Sequence, residues 1–244
     1  MEEVRVGVEV DPRGRALAWV REWPGCTSHG ESEREALERV PQALQEFWAW
    51  LNGHGDPEAP PPDTEVRIGA VERSPVESDL READSEGFFS FDSEPLEPRL
   101  LARAKRFRAY ARADALALLA ELGEEDLRHP VGRSGRTVGA TFDHMAIVDL
   151  WYAQRAGVPA SAEWQAFLLT ALGELADGWV HRRLEADPVT VRLFPPDVWG
   201  DGRAERWTPQ KTLRRFVWHD LLHLRAIRRT LAGTGPGTGR GDRR

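Results

Sequence analysis

From residue 98 onward the apolar residues recur at spacings of three and four. This periodicity constrains the fold more tightly than any other feature of the sequence. Leu100, Leu101, Ala104, Phe107, Ala111, Ala115, Leu118, Leu119 and Leu122 mark one helix face, and Gly123 ends the run. Thr137 is placed to cap a second helix reaching Gly157, and Ser161 a third that passes Trp164, Leu168, Leu172, Leu175 and Trp179 and stops before Pro188. Thr208-Pro209 combines a capping hydroxyl with proline at the first helical position, and a fourth helix follows to about Leu231. Between the third and fourth, Pro195-Pro196 and Gly200-Asp201-Gly202 read as a long crossover or a short hairpin. Four amphipathic helices of this length predict an all-α four-helix bundle over residues 98–232. The Gly-rich residues 233–244 are expected to be a disordered tail.

The preceding part has a different period. Val4, Val6, Val8 and Val10 alternate with other residues, as in a strand with one buried face. Asp11-Pro12-Arg13-Gly14 reads as a turn and Ala16–Val20 as the return strand, with a second turn at Trp23-Pro24-Gly25-Cys26. Ser32 precedes a helical run through Ala36, Leu37, Val40, Leu44, Phe47, Trp48 and Leu51 that stops at Gly53, and Val66–Val71 reads as one more strand. Residues 1–71 are thus expected to form a small α+β module.

Residues 72–97 carry nine acids and two arginines, which equals the whole formal net charge of −7. With weak periodicity, Ser and Pro, they read as an acidic linker. Phe88, Phe89 and Phe91 interrupt it, either as an anchor on one of the domains or as a short extra strand. Because the remainder of the chain is balanced, a dominant nucleic-acid role is disfavoured.

Composition excludes several classes. At 244 residues the chain has room for one large domain or two small ones. Hydrophobic residues at 41% and charged residues at 30% argue against global disorder and against a fibre. No stretch approaches the ~20 apolar residues that cross a bilayer, and the Met1-Glu2-Glu3 opening is no secretory signal. Cys26 is the single cysteine, which excludes an internal disulfide and a multi-cysteine zinc site; the expected address is the cytoplasm. Within its turn Cys26 reads as a small buried residue rather than a reactive thiol. Six of the ten tryptophans lie in the last hundred residues, enough for an indole-rich core there.

The histidines carry the candidate chemistry. His219 and His223 are four apart on the fourth expected helix, on one face and one turn apart, close to the stripe of Phe216, Ile227 and Leu231. Rings pointing into a core are costly unless each nitrogen has a partner, and a metal ion supplies one. Two core histidines bonded to carbonyls would give the same pattern, so a third ligand is needed. No histidine, glutamate or cysteine follows His223. Upstream, His144 shares its helix face with Ile147, Val148 and Trp151, whereas His181 falls on the wrong face, His129 in a loop, and His29 and His54 in the other module. The candidate metal ligands are therefore His144, His219 and His223. Three neutral imidazoles leave coordination positions open, as catalytic rather than closed structural sites do, and suit zinc, nickel or ferrous iron.

His219-Asp220-Leu221-Leu222-His223 is one methylene from the His-Glu-x-x-His of zinc proteases. Asp220 is read instead as facing solvent or pairing with Arg215 or Arg225. Lys211, Arg214, Arg215, Arg225, Arg228 and Arg229 are read as a solvated outer face, or as partners of the acidic linker.

Two resemblances extend this reading. WPGCTSHGESEREALERVPQALQEFW, with Pro24, Gly25, Cys26, Gly30, Glu35, Ala36 and Leu37 at the characteristic places, resembles the HicB-like family over roughly residues 4–71. Many HicB proteins are antitoxins with an added DNA-binding segment. No such segment is read after the module here, and the antitoxin role is not transferred. HMAIVDLWYAQR from His144 and WTPQKTLRRFVWHDLLHLRAIRR resemble the DinB-like (DinB/YfiT) superfamily over residues 98–232. That resemblance implies a four-helix bundle with His144, His219 and His223 on a divalent metal. It also implies activation of a low-molecular-weight thiol for transfer to, or hydrolysis of, a small electrophilic substrate. The alternative is a non-catalytic metal-binding regulatory protein acting through the HicB-like module. Both families often pair, so a homodimer is the expectation by analogy.

Overall fold

Strands β1 (Glu2–Val10) and β2 (Ala16–Val20) form an antiparallel hairpin in which Val6 faces Val20 and Val10 faces Ala16. Asp11 fixes its turn by accepting from the backbone N–H groups of Arg13 at 2.8 Å and Arg15 at 3.0 Å. This computed structural model describes residues 1–80, 85–132, 135–157, 184–194 and 205–233. Strand β3 (Thr27–Gly30) adds antiparallel to β2, and β4 (Val66–Pro75) adds parallel to β1, giving the order β3-β2-β1-β4. The register of β1 and β4 shifts once, where Val4 faces Ile68 but Arg5 faces Ala70. Gly69 is the extra residue; a Cβ there would meet the Glu3 carboxylate at 2.4 Å.

Ser32 caps α1 (Glu33–Glu38), its Oγ accepting from Glu35 N at 3.2 Å. The single helix expected up to Gly53 is two, α1 and α2 (Val40–Gly53). Pro41 falls in the first turn of α2 and has no N–H to continue the preceding ladder.

Both faces of the sheet are covered, not one. Val4, Val6 and Val8 face Leu44, Phe47, Trp48 and Leu51 of α2 in a core that continues into Leu101, Phe107, Phe216 and Val217. Leu17 and Trp19 face a second layer of Val76, Leu80, Phe89, Phe91 and Trp218. The segment expected as an acidic linker therefore begins as the last residues of β4 and supplies much of this layer. A one-turn 3-10 helix at Ser90–Ser93 carries Phe91 inward. Its charges are used locally: Asp92 takes the Arg214 guanidinium at 2.9 Å, and Glu94 takes Arg5 and Arg21, each at 2.7 Å. Glu9 is buried beneath it and accepts from Trp19 Nε1 at 2.7 Å and Ser85 Oγ at 2.6 Å.

The helical part comprises α3 (Pro98–Glu121), short α4 (Glu124–Leu127), α5 (Val138–Arg155), a hairpin of β5 (Arg192–Phe194) and β6 (Glu205–Trp207), and α6 (Pro209–Leu231). Thr137 caps α5, accepting from Ala140 N at 3.1 Å, and Thr208 caps α6, accepting from Lys211 N at 3.1 Å. The expected third helix from Ser161, with His181, lies almost wholly outside the described residues. So do the Pro195–Gly202 connection and the tail beyond Gly233.

This architecture corrects the expected α+β module followed by an all-α four-helix bundle. Among the described residues a four-stranded mixed sheet and three long helices share one core, joined by a two-stranded hairpin. The reason lies in the Trp23–Cys26 turn, which is buried throughout. Trp23 stacks on Phe107 of α3 at 6.1 Å and meets Trp48 of α2 edge-on at 5.7 Å. Gly25 has φ +91°, and a Cβ there would lie 2.6 Å from Val217 of α6. The apolar stripes of α3 and α6 are thus partly spent on the sheet side, and a bundle closed on itself could not satisfy Trp23. No helix among the described residues is long and apolar enough to cross a membrane.

Candidate metal centre

Two helices bring the three histidines together. The Nε2 of His219 on α6 lies 3.3 Å from the Nε2 of His144 on α5 and 3.1 Å from the Nε2 of His223, one turn further along α6. The ring centroids are 4.4–5.1 Å apart, with His144 and His223 nearly perpendicular at 86°. His219 is buried and the other two are half-buried. On α5 the buried positions include Met145, Ala146, Asp149, Tyr152 and Ala153; of the expected stripe Val148 and Trp151 pack half-buried against the core, and Ile147 is 40% exposed.

Surroundings hold the rings neutral. Burial, with a smaller effect from Arg136, pushes His144 down to about 4. Burial and the neighbouring His219 and His144 push His223 down to about 2. His219 lies well below the ordinary value through burial, His144 and the guanidiniums of Arg108 and Arg112. Each ring therefore presents an unprotonated nitrogen at neutral pH.

This donor set fits a divalent ion. Two nitrogens each ~2.05 Å from a shared tetrahedral centre stand ~3.3 Å apart, and both short separations agree with that. Three Nε2 atoms facing one another cannot all be satisfied by one another's protons. His144, His219 and His223 are also the one group of this kind among the described residues with all ligand atoms within 4.8 Å.

Behind His219 lies a ring of four charges, of which only Asp220 drew attention from the sequence. Arg108 and Arg112 of α3 both pair with Asp149 of α5, and both approach Asp220 Oδ2 of α6 at 2.9 Å. Arg108 Nη1 also donates to the Phe216 carbonyl at 2.8 Å, and its guanidinium lies 3.8 Å over the Phe216 ring. The readable signal was Arg108 itself, four residues after Ala104 and three before Ala111 on the apolar face of α3. The expectation for Asp220 is corrected: it is fully buried and engaged by two arginines, so it is not a solvent-facing carboxylate and not a free base.

Of the two readings of the basic face of α6, the acidic segment takes Lys211 and Arg214, through the Glu86 carbonyl and Asp92, and solvent takes the last turns. Lys211, Arg214 and Arg215 are buried; Lys211 donates to Glu205 at 2.8 Å and to the Glu86 carbonyl at 3.0 Å, while Arg225, Arg228 and Arg229 stay exposed. Cys26 is buried and unpaired with another sulfur, and burial pushes its thiol up to about 12. His54 stacks on Tyr110 at 4.6 Å, His129 is exposed beyond α4, and neither joins the triad. The chain matches no family model, no curated protein and no solved structure.

Proposed function

We propose that this chain is a divalent-metal-dependent enzyme with His144, His219 and His223 as the metal ligands. The observation that supports the reading is the convergence of three imidazole nitrogens, two of them 3.1 and 3.3 Å from the Nε2 of His219 and all within 4.8 Å of one another. Zinc, nickel and ferrous iron all suit three imidazoles. When bound, such an ion supplies Lewis-acid activation of a water or a thiol.

The chain's own residues prepare the site in three ways. The two helices that carry the ligands are tied to α3 by the Arg108–Asp149 and Arg108–Asp220 pairs, so the ligand spacing is set by the scaffold. Burial keeps protons off the rings. The Tyr152 ring, packed edge-on against Trp207 and Phe216, lies 5.8 Å from His219 and covers that side of the cluster.

The reaction we assign is transfer of a low-molecular-weight thiol to a small electrophile, or hydrolysis of such a compound. This assignment rests on the DinB-like resemblance of the sequences around His144 and His219. We place the activity in the cytoplasm, where such thiols are kept reduced.

Elemental analysis of protein purified without a histidine tag, beside His219→Ala, tests the reading. About one equivalent of a transition metal in the wild type, lost in the variant, is expected. Both proteins metal-free, even after incubation with zinc and nickel, would end it.

A further inference from the structure

Strand β4 ends the sheet. It pairs with β1 on one side, and on the other no backbone N–H or C=O of Val66–Pro75 has a partner among the described residues. Arg67, Gly69, Ala70, Val71, Arg73 and Pro75 are exposed. A long open edge is a template for one more strand. The opposite edge is not equivalent: β3 is short, and Gly30 at its end lies against Ser32 and Ala36 of its own chain. We propose that β4 pairs antiparallel with β4 of a second copy of this chain, about a two-fold axis at Ala70, so that two sheets become one.

The bulge decides which register is possible. Ile68, Val71 and Arg73 lie beside Val4, Val6 and Val8, whose side chains enter the core shared with α2. Arg67, Ala70 and Glu72 lie beside Glu3, Arg5 and Gly7, on the other face. Arg67 and Glu72 are five apart and would fall on opposite faces of a regular strand; the extra residue, Gly69, brings them to the same one. A two-fold axis perpendicular to a sheet sets opposite one another only residues of one face. With Ala70 opposite its own copy, Ile68 comes opposite Val71, Arg67 opposite Glu72, and Val66 opposite Arg73, and every pair meets that condition.

Charge selects this register. An axis at Arg67, Glu72 or Arg73 would set like charges opposite one another, which is destabilising. An axis at Ile68 or Val71 avoids that but brings no opposite charges together. Arg67 and Glu72 keep their own-chain partners, Glu3 and Ser90. The pairing requires no free charge, because the backbone ladder and the Ile68–Val71 pairs make the attachment and the charges fix its alignment. A guarded edge carries charges that a copy repels; here their signs fit a copy. The pairing needs no metal in the triad and stands apart from the enzymatic reading.

Light scattering on the eluting full-length protein and disulfide trapping test it. The wild type is expected at twice the chain mass in the micromolar range. Arg67→Glu and Glu72→Arg each set like charges opposite one another twice per dimer, and each should weaken self-association by about tenfold or more. An equimolar mixture of the two variants sets opposite signs together at both places and should restore the dimer, a result that a damaged fold cannot give. Thermal melts identify a variant that has lost its fold, for which Val71→Lys, placing a charge against Ile68, is substituted. Ala70→Cys should form a disulfide-linked dimer under mild oxidation, because facing Cα atoms in an antiparallel pair stand ~4.5–5.5 Å apart, within disulfide reach. Cys26 is buried and gives no background. A monomer throughout the micromolar range overturns the proposal. So does a dimer that no β4 variant weakens, or a dimeric Ala70→Cys protein that does not cross-link.

Discussion

The carboxylate of Asp220 lies 2.9 Å from the guanidinium of Arg108, and neither side chain reaches solvent. Removing one member of a buried ion pair strands the other charge and costs about 3–5 kcal/mol, whereas replacing both costs far less. Asp220→Ala is therefore expected to lower the urea unfolding free energy by about that amount. The double variant Arg108→Met/Asp220→Leu should cost less than the sum of its parts, because Arg112 and Asp149 remain as a balanced pair. Additive single costs would show that the two residues do not depend on one another.

Gly25 and Gly14 both sit at positive φ, +91° and +83°, but only Gly25 is crowded: a Cβ would lie 2.6 Å from Val217, against nothing within 4 Å at Gly14. Gly14→Ala should therefore cost only the left-handed strain of about 1–2 kcal/mol. Gly25→Ala should cost that and a further ~1–3 kcal/mol of overpacking against α6. Equal urea midpoints for the two variants would mean that the Trp23–Cys26 turn can back away from the helix, and that the shared core is looser there than the contacts indicate.

Legibility followed the local signals. The Ala16–Val20 strand, the Thr137 and Thr208 caps and the last helix ending at Leu231 were readable because each depends on its own residues and spacing. The triad was readable because His219 and His223 share a turn and His144 sits on an amphipathic helix. What escaped was long-range. Thr27–Gly30 is four residues of mostly polar sequence and forms a strand only because β2 offers an edge. Phe89 and Phe91 were legible as an anchor within the acidic run, but the surface they bury against, Leu17 and Trp19, lies far away in sequence. Arg108 sits on the apolar face of α3, but its partners Asp149 and Asp220 look like surface charges one by one and become part of a buried ring only when three helices meet. The same long-range packing is why the separate bundle was not found.

Acid should weaken the metal-free protein well above the carboxylate range. His144 titrates at about 4 and His223 at about 2 in the folded chain, against ~6.5 when unfolded. Below ~6.5 the unfolded chain binds more protons, so stability is fully present above that pH and falls as the pH drops toward the folded values. Thermal melts between pH 7.5 and 5 (an interval above most carboxylate titration, roughly pH 4.5 and below) should show Tm falling. His144→Gln and His223→Gln should each make that slope shallower, leaving the shares of His219 and His29, which shift in the same direction. Zinc competes with protons for the same nitrogens and should move the fall to lower pH. An unchanged slope in both variants would show that the triad is not held neutral by burial.

Metal loss separates a catalytic from a structural centre. The Arg108, Arg112, Asp149 and Asp220 ring ties α3, α5 and α6 together without any ion, so the EDTA-treated protein is expected to keep its far-ultraviolet circular dichroism and a cooperative melt. Zinc at a hundredfold its Kd should then add about 2.7 kcal/mol by mass action alone, visible as a higher Tm, and His219→Ala should show no zinc-dependent rise. A structural centre behaves differently: its ion contributes the folding free energy outright, and chelation leaves an unfolded chain. If EDTA abolishes the melting transition, the ring is insufficient to hold the helices and the ion is a structural part of the fold. The enzymatic reading would then lose the scaffold-set ligand geometry on which it depends.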